Sequence, residues 1–360
     1  MLFSVNTQLP KVSSFDLLDM ALIHPRISTT MPDTLKIVSG YATHAMAVSH
    51  FVAMEELSKQ KKTPLPLHID LIYGMAGSDG VGKINHQGFV SLEQKKEFNF
   101  NGDFRCSYVK KPRSVHSKIY VWCKNDTPVK AFIGSANYSE NGFKVSSRTE
   151  TLAECDPFSA LDFIESVRPD TIHCLAANIE RDFPLRNRPT PLDGKKQTGK
   201  ITIETDPNSP YFNMEKLNLS LLTRFGDTGN GSNLNWGVKE GGIPRTSGKC
   251  VRDPNQSYIG VPIEIHRSNF FPEVKHNFTV MTDDGKILTC VRAQANGKGL
   301  ETTYDNAELG RYFRQRLGLP SGAFVTVSDL KKYGRFDVTF YKQDDENYIM
   351  DFSSTKNNKS

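Results

Sequence analysis

The chain has 360 residues, of which 38% are hydrophobic and 24% charged, and its formal net charge is +5. These values exclude a fibrous or disordered protein and leave room for two domains, while the small positive excess permits an acidic partner without requiring one. No run of about 18 apolar residues and no secretory signal is found, so we expect a soluble, cytoplasmic protein. The six cysteines are scattered without a C-x-x-C pair; we expect free thiols, with structural zinc as the less favoured alternative.

The first half of the chain alternates between strand and helix patterns. Residues 35–38 and 67–73 are apolar runs typical of strands, and residues 42–57 between them have the apolar spacing of a helix. This order predicts an α/β domain with at least partly parallel strand pairing. Further strand candidates follow at residues 118–123, 129–133 and 149–155.

A glycine-rich segment follows the strand predicted at residues 67–73. Residues 77–83 fit the phosphate-binding pattern G-x-x-x-x-G-K, but Ile84 stands where Ser or Thr would hold magnesium. The residues after it do not have the pattern of a helix start. We therefore predict a surface loop, with no nucleotide site and no cofactor.

The second half is richer in short β-type runs broken by Gly, Asn and Pro. Only residues 306–317 have a convincing helix pattern, so a small barrel or sandwich is predicted. The strand candidates are residues 258–265, 277–281, 286–293, 323–327 and 336–341. The predicted domains are 1–185 and 213–352, with a proline-punctuated linker at 186–212 and a disordered tail at 353–360.

The clearest candidate for a catalytic motif is His116-Ser-Lys118, followed by the turn Gly134-Ser135-Ala136-Asn137. On a strand, positions 116 and 118 lie on the same face, so an imidazole and an ammonium stand side by side. A neutral histidine can attack phosphorus, while a lysine and an asparagine amide stabilise the added charge. Taken singly, each residue has an ordinary interpretation as a surface histidine or a common turn. Together they favour phosphate chemistry.

This pattern resembles the signature of the phospholipase D superfamily, H-x-K followed by G-S-x-N. The resemblance covers about residues 1–185 and implies an α-β-α sandwich with a mixed sheet. It implies that His116 is the covalent nucleophile, that Lys118, Ser135 and Asn137 bind the scissile phosphate, and that Glu150 orients the histidine. Glu154, four residues further on, is the alternative for that last role.

One departure from the superfamily pattern is Cys123, which stands where H-x-K-x-x-x-x-D has its aspartate. Some nuclease members of the superfamily also lack that residue, so its absence favours the nuclease branch over the lipid-hydrolysing one. A catalytically inactive descendant stays open as an alternative.

The chain has a single H-x-K motif, and superfamily members need two. The resemblance therefore implies a homodimer through the first domain, in which one His116 forms a phosphohistidine and the other protonates the leaving oxygen. Imidazole can take both protonation states near neutral pH. No metal is needed, and no carboxylate cluster suited to one is evident.

A β-rich domain after a single-motif nuclease domain resembles the restriction endonucleases of the BfiI and NgoFVII type. Their second domain is a pseudobarrel related to the plant B-three DNA-binding domain, which grips the major groove with an N-arm and a C-arm. The N-arm candidates are Arg224, Asp227, Asn233, Asn235 and Trp236. The C-arm candidates are Arg292, Gln294, Asn296 and Lys298, which alternate as on one face of a strand and suit base edges; a solvated strand face is the alternative. Weaker candidates for phosphate contacts are Arg311, Arg314, Arg316, Lys331, Lys332 and Arg335.

The function predicted from this resemblance is that of a type II restriction endonuclease, a metal-independent and sequence-specific hydrolase of double-stranded DNA that acts through a phosphohistidine. The alternatives are a non-catalytic, sequence-specific DNA-binding dimer and a phospholipid-processing relative, for which no membrane-binding segment is evident. The predicted partners are double-stranded DNA and a second copy of the chain. The resemblance also points to a separately encoded ATPase subunit and a cognate DNA methyltransferase.

Overall fold

The computed structural model describes residues 2–4, 17–96, 99–144, 149–177, 179–183, 185–186, 201–266, 268–294 and 297–354. The chain divides into two compact units, Met1–Asn187 and Arg188–Ser360, which are described one at a time. Within the described residues, no helix is both long and apolar enough to cross a membrane.

The first unit is built on a mixed eight-stranded sheet of order β1-β8-β7-β6-β2-β3-β5-β9. Only the pairs β2–β3 and β3–β5 are parallel in this sheet, as the strand-helix-strand pattern predicted. A separate parallel pair joins β4 and β10. The strands are β1 (Leu2–Ser4), β2 (Thr34–Ser39), β3 (Leu67–Tyr73), β4 (Val81–Gly82), β5 (Gly102–Val109), β6 (Lys118–Lys124), β7 (Thr127–Gly134), β8 (Thr151–Cys155), β9 (Thr171–His173) and β10 (Leu185–Arg186).

Helices cover both faces of this sheet. The helices are α1 (His44–Lys61), α2 (Ala76–Asp79), α3 (Lys83–Glu93), α4 (Glu140–Phe143), α5 (Pro157–Val167) and α6 (Ile179–Asp182), with a π-helical turn at Asp19–Ile23 and 3₁₀ turns at His24–Ile27 and Arg168–Asp170. Alternation along β2 divides the core, because Ile37 packs with α1 and α3 on one face and Val38 with α5 on the other. The predicted α-β-α sandwich is thereby confirmed.

The glycine-rich segment is not the surface loop that was predicted. Residues 77–83 contribute to α2, form β4 and begin α3 at Lys83. The helix forms here because Ile84, Phe89 and Leu92 bury an apolar face against the sheet. The helix start was missed because Gly82 precedes it, with no side-chain cap to mark it.

The second unit is mainly β, with an eight-stranded sheet of order β11-β12-β21-β22-β18-β19-β20-β17. Its strand pairs are antiparallel except for β18–β22. This sheet is consistent with the predicted pseudobarrel. The strands are β11 (Ile201–Ile203), β12 (Glu215–Ser220), β13 (Val238–Lys239), β14 (Ile243–Pro244), β15 (Thr246–Ser247), β16 (Cys250–Val251), β17 (Ile259–Gly260), β18 (Asn277–Thr282), β19 (Ile287–Ala293), β20 (Gly299–Thr302), β21 (Asp337–Lys342) and β22 (Asn347–Asp351).

The helices of the second unit are α7 (Ile263–His266), α8 (Glu308–Leu317) and α9 (Val327–Tyr333), with 3₁₀ turns at Asn233–Asn235 and Glu240–Gly242. The strands predicted at residues 258–265 and 323–327 are wrong, because only Ile259–Gly260 pairs in the first and no strand forms in the second. The unpredicted α9 begins with a capping box between Thr326 and Asp329, a sequence signal that identifies a helix start.

Two predicted boundary segments fall partly outside the described residues. In the predicted linker, residues 187–200 are outside them, whereas Ile201–Ile203 pairs with β12 as the edge strand of the second sheet. In the predicted tail, residues 355–360 are outside them. The linker and tail limits stay predictions.

Candidate active site and nucleic-acid interface

His116 lies in the loop immediately before β6, and Lys118 is the first residue of that strand. The loop is fixed by the Val115 amide, which donates to the Gly74 carbonyl at 3.0 Å. The His116 side chain is exposed, and its ring meets the Tyr41 ring edge-on with centroids 5.9 Å apart. The imidazole is therefore supported on one side and open to a ligand.

Gly40, in the turn between β2 and α1, lies directly against this histidine. A Cβ atom at position 40 would be 2.9 Å from His116 Cδ2 and 3.3 Å from Lys118 Nζ. A carbon placed so close to the ring would have to move it. Position 40 therefore tolerates only glycine without displacement of the candidate nucleophile, a constraint that the sequence did not reveal.

The Lys118 side chain is buried, and its ammonium group donates a hydrogen bond to the His116 carbonyl oxygen. Burial lowers the pKa of Lys118, while the Glu150 carboxylate partly offsets that effect. A poorly hydrated cation interacts strongly with an anion placed beside it. The lysine is thus suited to neutralise charge on a phosphate bound at His116.

The Gly134–Asn137 turn is held over the start of β6 by several hydrogen bonds. The Tyr120 hydroxyl donates to the Ala136 carbonyl at 2.7 Å, and the Tyr138 amide donates to Ser39 Oγ at 2.9 Å. Asn137 Oδ1 accepts the Tyr41 amide at 3.1 Å. Because its oxygen is occupied by this donor, Asn137 presents its amide nitrogen as a hydrogen-bond donor.

Glu150 lies immediately before β8, where its carboxylate accepts a hydrogen bond from the Ser135 hydroxyl. Ser135 Oγ in turn accepts the Thr151 amide at 3.0 Å. Glu154 is placed differently, since its carboxylate pairs with Lys130 at 3.4 Å. Glu150 therefore lies beside Ser135 and Glu154 does not, although among the described residues no hydrogen bond joins Glu150 to the His116 ring.

Cys123 packs in the apolar layer beneath α5, and burial raises its thiol pKa to about 11. Cys123 lies five positions along the strand from Lys118, which corresponds to about 17 Å. The departure from the superfamily pattern at this position therefore changes packing at the far end of β6 rather than the group around His116.

A buried histidine behind the site was also missed by sequence reasoning. His50 on α1 accepts the Tyr138 hydroxyl at Nδ1 over 3.1 Å and donates from Nε2 to the Leu22 carbonyl at 2.9 Å. Burial lowers its pKa to about 4; the Leu22 hydrogen bond opposes that effect, and the nearby Lys144 charge adds to it. The neutral His50 ring thereby holds the Tyr138 side chain, which is next to Asn137 in the chain.

In the second unit, a cavity of about 730 Å³ lies between the two predicted arms. Arg224, Asp227 and Asn233 line it from the N-arm side, and Gln294 and Lys298 line it from the C-arm side. The structure thus brings together residues that are about 70 positions apart in sequence. Tyr258 and Ser232, which sequence reasoning did not identify, also line this cavity.

The N-arm residues divide into exposed and structural ones. The Arg224 guanidinium lies 4.7 Å from the centre of the Phe225 ring, and both side chains are exposed. Asp227 is also exposed but closes its own turn, since Oδ1 accepts Thr223 Oγ1 at 2.7 Å. Asn235 is fully buried, and both ends of its amide bond the Val325 backbone at 2.8 Å. Asn235 therefore positions the arm and cannot contact DNA itself.

The C-arm does not form the extended polar strand that was predicted. The strand β19 ends at Ala293, and Gln294 has a φ of +62°, which breaks the alternation. Arg292 is 4% exposed, and its Nε donates to the Pro272 carbonyl at 2.9 Å, so it faces the interior. Lys298 is exposed beyond the turn. Asn296 lies outside the described residues.

Trp236 is half-buried, with the Arg252 guanidinium 4.4 Å from its ring centre. Two hairpins, β13–β14 and β15–β16, follow it, and their strand residues are exposed apart from the buried Val238. Arg245 ties this segment to the N-arm through a 2.7 Å hydrogen bond from Nη1 to the Gly231 carbonyl. The segment carries Lys239, Arg245, Lys249 and Arg252, which extends the positive charge beyond the predicted N-arm.

Among the weaker candidates, Arg314 is buried rather than exposed. Its guanidinium donates to the Ala323, Gly310 and Leu234 carbonyls at 2.7, 3.1 and 3.3 Å. Arg316 pairs with Asp283. The remaining candidates behave as surface residues or ion-pair partners: Arg311 bonds Asp305, Arg335 bonds Asp337, and Lys331 and Lys332 are exposed.

Comparison with solved structures gives only distant likenesses, and no curated protein matches the chain. NucT from Helicobacter pylori is 17% identical, with a TM-score of 0.31 over 48% of this chain and 97% of NucT. The phospholipase D family member Nuc from Salmonella typhimurium is 11% identical, with a TM-score of 0.29 over 48% and 95%. The polyphosphate kinase from Porphyromonas gingivalis is 13% identical, with a TM-score of 0.29 over 51% of this chain but only 26% of the kinase.

Two family models match in succession. The NgoFVII restriction endonuclease N-terminal PLD (phospholipase D) domain matches residues 16–181. The NgoFVII C-terminal B3-like DNA-binding domain matches residues 211–344. Together they account for most of the chain, which therefore belongs to the NgoFVII family of restriction endonucleases and combines a PLD nuclease domain with a B3-like DNA-binding domain.

Proposed function

We propose that this protein is a type II restriction endonuclease that hydrolyses double-stranded DNA at specific sequences without a metal ion, through a covalent phosphohistidine. The observation that carries the proposal is the convergence of His116, Lys118 and Asn137 at one end of β6, on a chain whose other domain is B3-like. Imidazole, ammonium and amide together supply the nucleophile and the charge stabilisation that phosphodiester hydrolysis needs.

In the proposed reaction, a ring nitrogen of His116 attacks phosphorus and the bond from phosphorus to the leaving oxygen breaks. A second subunit's copy of the same histidine, in its protonated form, gives that oxygen its proton. Water then attacks the phosphohistidine, passes a proton to the second imidazole and restores free His116. The single H-x-K motif of the chain supports this two-subunit site, and the homodimer is part of the proposal.

Lys118 and Asn137 stabilise the negative charge on the non-bridging oxygens in this scheme. The buried position of Lys118 and the donor orientation of Asn137 support those roles. We assign Glu150 to orient the site, because it holds Ser135 beside the phosphate position, whereas Glu154 is paired with Lys130. The position of Cys123 at the far end of β6 supports an active enzyme over an inactive descendant.

For sequence recognition we propose the cavity between the arms. Arg224, Gln294 and Lys298 combine exposure or partial exposure with a place on its wall. Arginine and lysine suit guanine and phosphate, and glutamine suits adenine. The exposed basic hairpins after Trp236 would add phosphate contacts, which raise affinity and its salt dependence. An ATPase subunit and a DNA methyltransferase remain partners proposed from the family.

The direct test is cleavage of unmodified plasmid and phage DNA in EDTA by the wild-type protein, His116→Ala and the surface control His68→Ala. We expect discrete fragments from the wild type and the control, and intact DNA that is still bound with His116→Ala. Binding without cleavage by the wild type, in EDTA and also with magnesium and ATP, would favour the non-catalytic DNA-binding dimer instead.

Recognition is tested separately with Gln294→Ala and Lys298→Ala, and with Lys331→Ala on α9 as a control. Loss of a base contact costs about 1–3 kcal/mol of discrimination, so the first two variants should cut related sites that the wild type leaves intact. Unchanged selectivity in both would refute the assignment of this cavity. Arg292→Ala is not a suitable test, because its side chain faces the interior.

A further inference from the structure

A second cluster of reactive side chains lies at the edge of the first unit's sheet, outside the site of the proposed reaction. Glu93 is the last residue of α3, Cys106 lies on β5, and His173 and Cys174 lie at the end of β9. Three strands stand between β6 and β9 in the sheet, so the cluster is about 19 Å to the side of β6. Nothing in the proposed cleavage mechanism uses it.

The Glu93 carboxylate is the centre of the cluster. Its Oε1 lies 2.6 Å from His173 Nε2, and its Oε2 lies 3.2 Å from Cys174 Sγ. One ligand atom from each of these three residues falls within 4.8 Å of the others. A tetrahedral zinc site has ligand atoms about 3.3–3.8 Å apart, given its bond lengths of about 2.0–2.3 Å. Small side-chain rotations therefore suffice to place an ion among them.

Cys106 lies on the strand next to this group and is the candidate for a fourth ligand. The β5–β9 register places Ser107 opposite His173, and the Cys174 amide donates to the Cys106 carbonyl at 2.9 Å. Cys106 and Cys174 are therefore cross-strand neighbours, and both are almost fully buried.

We infer that Glu93, Cys106, His173 and Cys174 form a binding site for a thiophilic divalent metal ion, with zinc as the best match. Two sulfurs, one imidazole nitrogen and one carboxylate oxygen make a donor set that zinc takes in four-coordinate sites. Binding would displace the thiol protons, because the thiolate is the ligand. His173 and Glu93 keep 32% and 13% of their side-chain surface exposed, which gives the ion a route in.

The site would join three separate elements, the end of α3, the strand β5 and the edge strand β9. An ion bound there would fix the edge of the sheet by stabilising the folded chain relative to the unfolded one. It would act as a structural centre, and the nuclease chemistry at His116 does not depend on it. The inference is therefore independent of the proposed function.

The test is metal analysis of the full-length protein, purified without a metal-affinity column, dialysed against zinc sulfate and desalted. We expect about one zinc ion per chain in the wild type, in the His116→Ala variant and in the Cys155→Ser control at a half-buried thiol. Cys174→Ser and the Cys106→Ser/Cys174→Ser pair should lose it. A wild-type protein that keeps no zinc would overturn the inference, whatever its activity on DNA.

A second measurement guards against variants that fail to fold. Cobalt-loaded wild-type protein should show the near-ultraviolet charge-transfer absorption of a thiolate–cobalt bond, and zinc should abolish it by displacement. Bound cobalt without that band would place the ion elsewhere and refute the site. A disulfide between Cys106 and Cys174 in the air-exposed wild-type protein, followed by failure of the reduced protein to bind zinc, would also refute the site.

Discussion

The buried His50 makes the stability of the first unit depend on pH in a way that can be calculated. Its pKa is about 4 in the folded chain against 6.5 for an ordinary histidine. The unfolded chain therefore takes up a proton below about pH 6.5 while folded His50 stays neutral. Because the unfolded state binds more protons, stability falls as the pH falls from about 6.5 to about 4.

The size of the effect follows from the two pKa values. Each unit of pKa difference changes the free energy of unfolding by about 1.4 kcal/mol, so the full difference amounts to about 3 kcal/mol. Of this, about 2 kcal/mol of stability is lost between pH 7 and pH 5. His50→Gln keeps an amide donor and acceptor but cannot titrate. The variant should therefore lose about 2 kcal/mol less than the wild type over this range.

The assay is urea unfolding followed by tryptophan fluorescence in a Trp236→Phe background. The chain has two tryptophans, and the remaining Trp122 is buried in the first unit beside His50, with ring centroids 6.2 Å apart. The signal then reports the first unit alone. Equal losses of stability in His50→Gln and its parent between pH 7 and pH 5 would refute the reasoning.

Three further predictions concern the candidate active site in the first unit and the N-arm in the second. Gly40→Ala should slow DNA cleavage by about 100-fold, because misplacing a catalytic group by about 1 Å has an effect of this size. DNA binding in a gel-shift assay should be unchanged. Full cleavage activity would show that His116 tolerates the added carbon. Glu150→Gln removes the carboxylate that raises the pKa of Lys118, so the pKa of Lys118 should fall in a titration followed by NMR of lysine-labelled protein, and a rise would contradict this. Asn235→Ala should destabilise the second unit by about 2–4 kcal/mol, since it removes four hydrogen bonds from buried groups, and calorimetry with an unshifted transition would count against it.

Much of the first unit could be predicted from the sequence, because its signals are local. His116 and Lys118 belong to one short motif, and the strands at residues 67–73 and 118–123 are short runs in which apolar and aromatic residues predominate. The rest of the site comes from chain segments that carry no motif of their own. Gly40 is identified only when β2 lies beside β6, and His50 only when the Tyr138 hydroxyl meets it.

The second unit was harder to predict, because its polar residues divide between surface and interior according to register. Alternation placed Arg292 and Gln294 on one exposed face, yet the first is buried and the second leaves the strand with a positive φ. Arg314 and Asn235 have the residue types of DNA contacts but bond backbone carbonyls inside the fold. Only the tertiary structure distinguishes such positioning residues from contacts.

The central claim is that DNA is cut in two steps through a covalent bond to His116, and the stereochemistry at phosphorus tests it most directly. A DNA site carrying one phosphorothioate of known configuration is cleaved in ¹⁸O-labelled water, and the configuration of the product is determined. Each displacement inverts phosphorus, so two successive steps predict retention of configuration. Inversion would mean that water attacks the DNA directly, and would contradict the phosphohistidine mechanism.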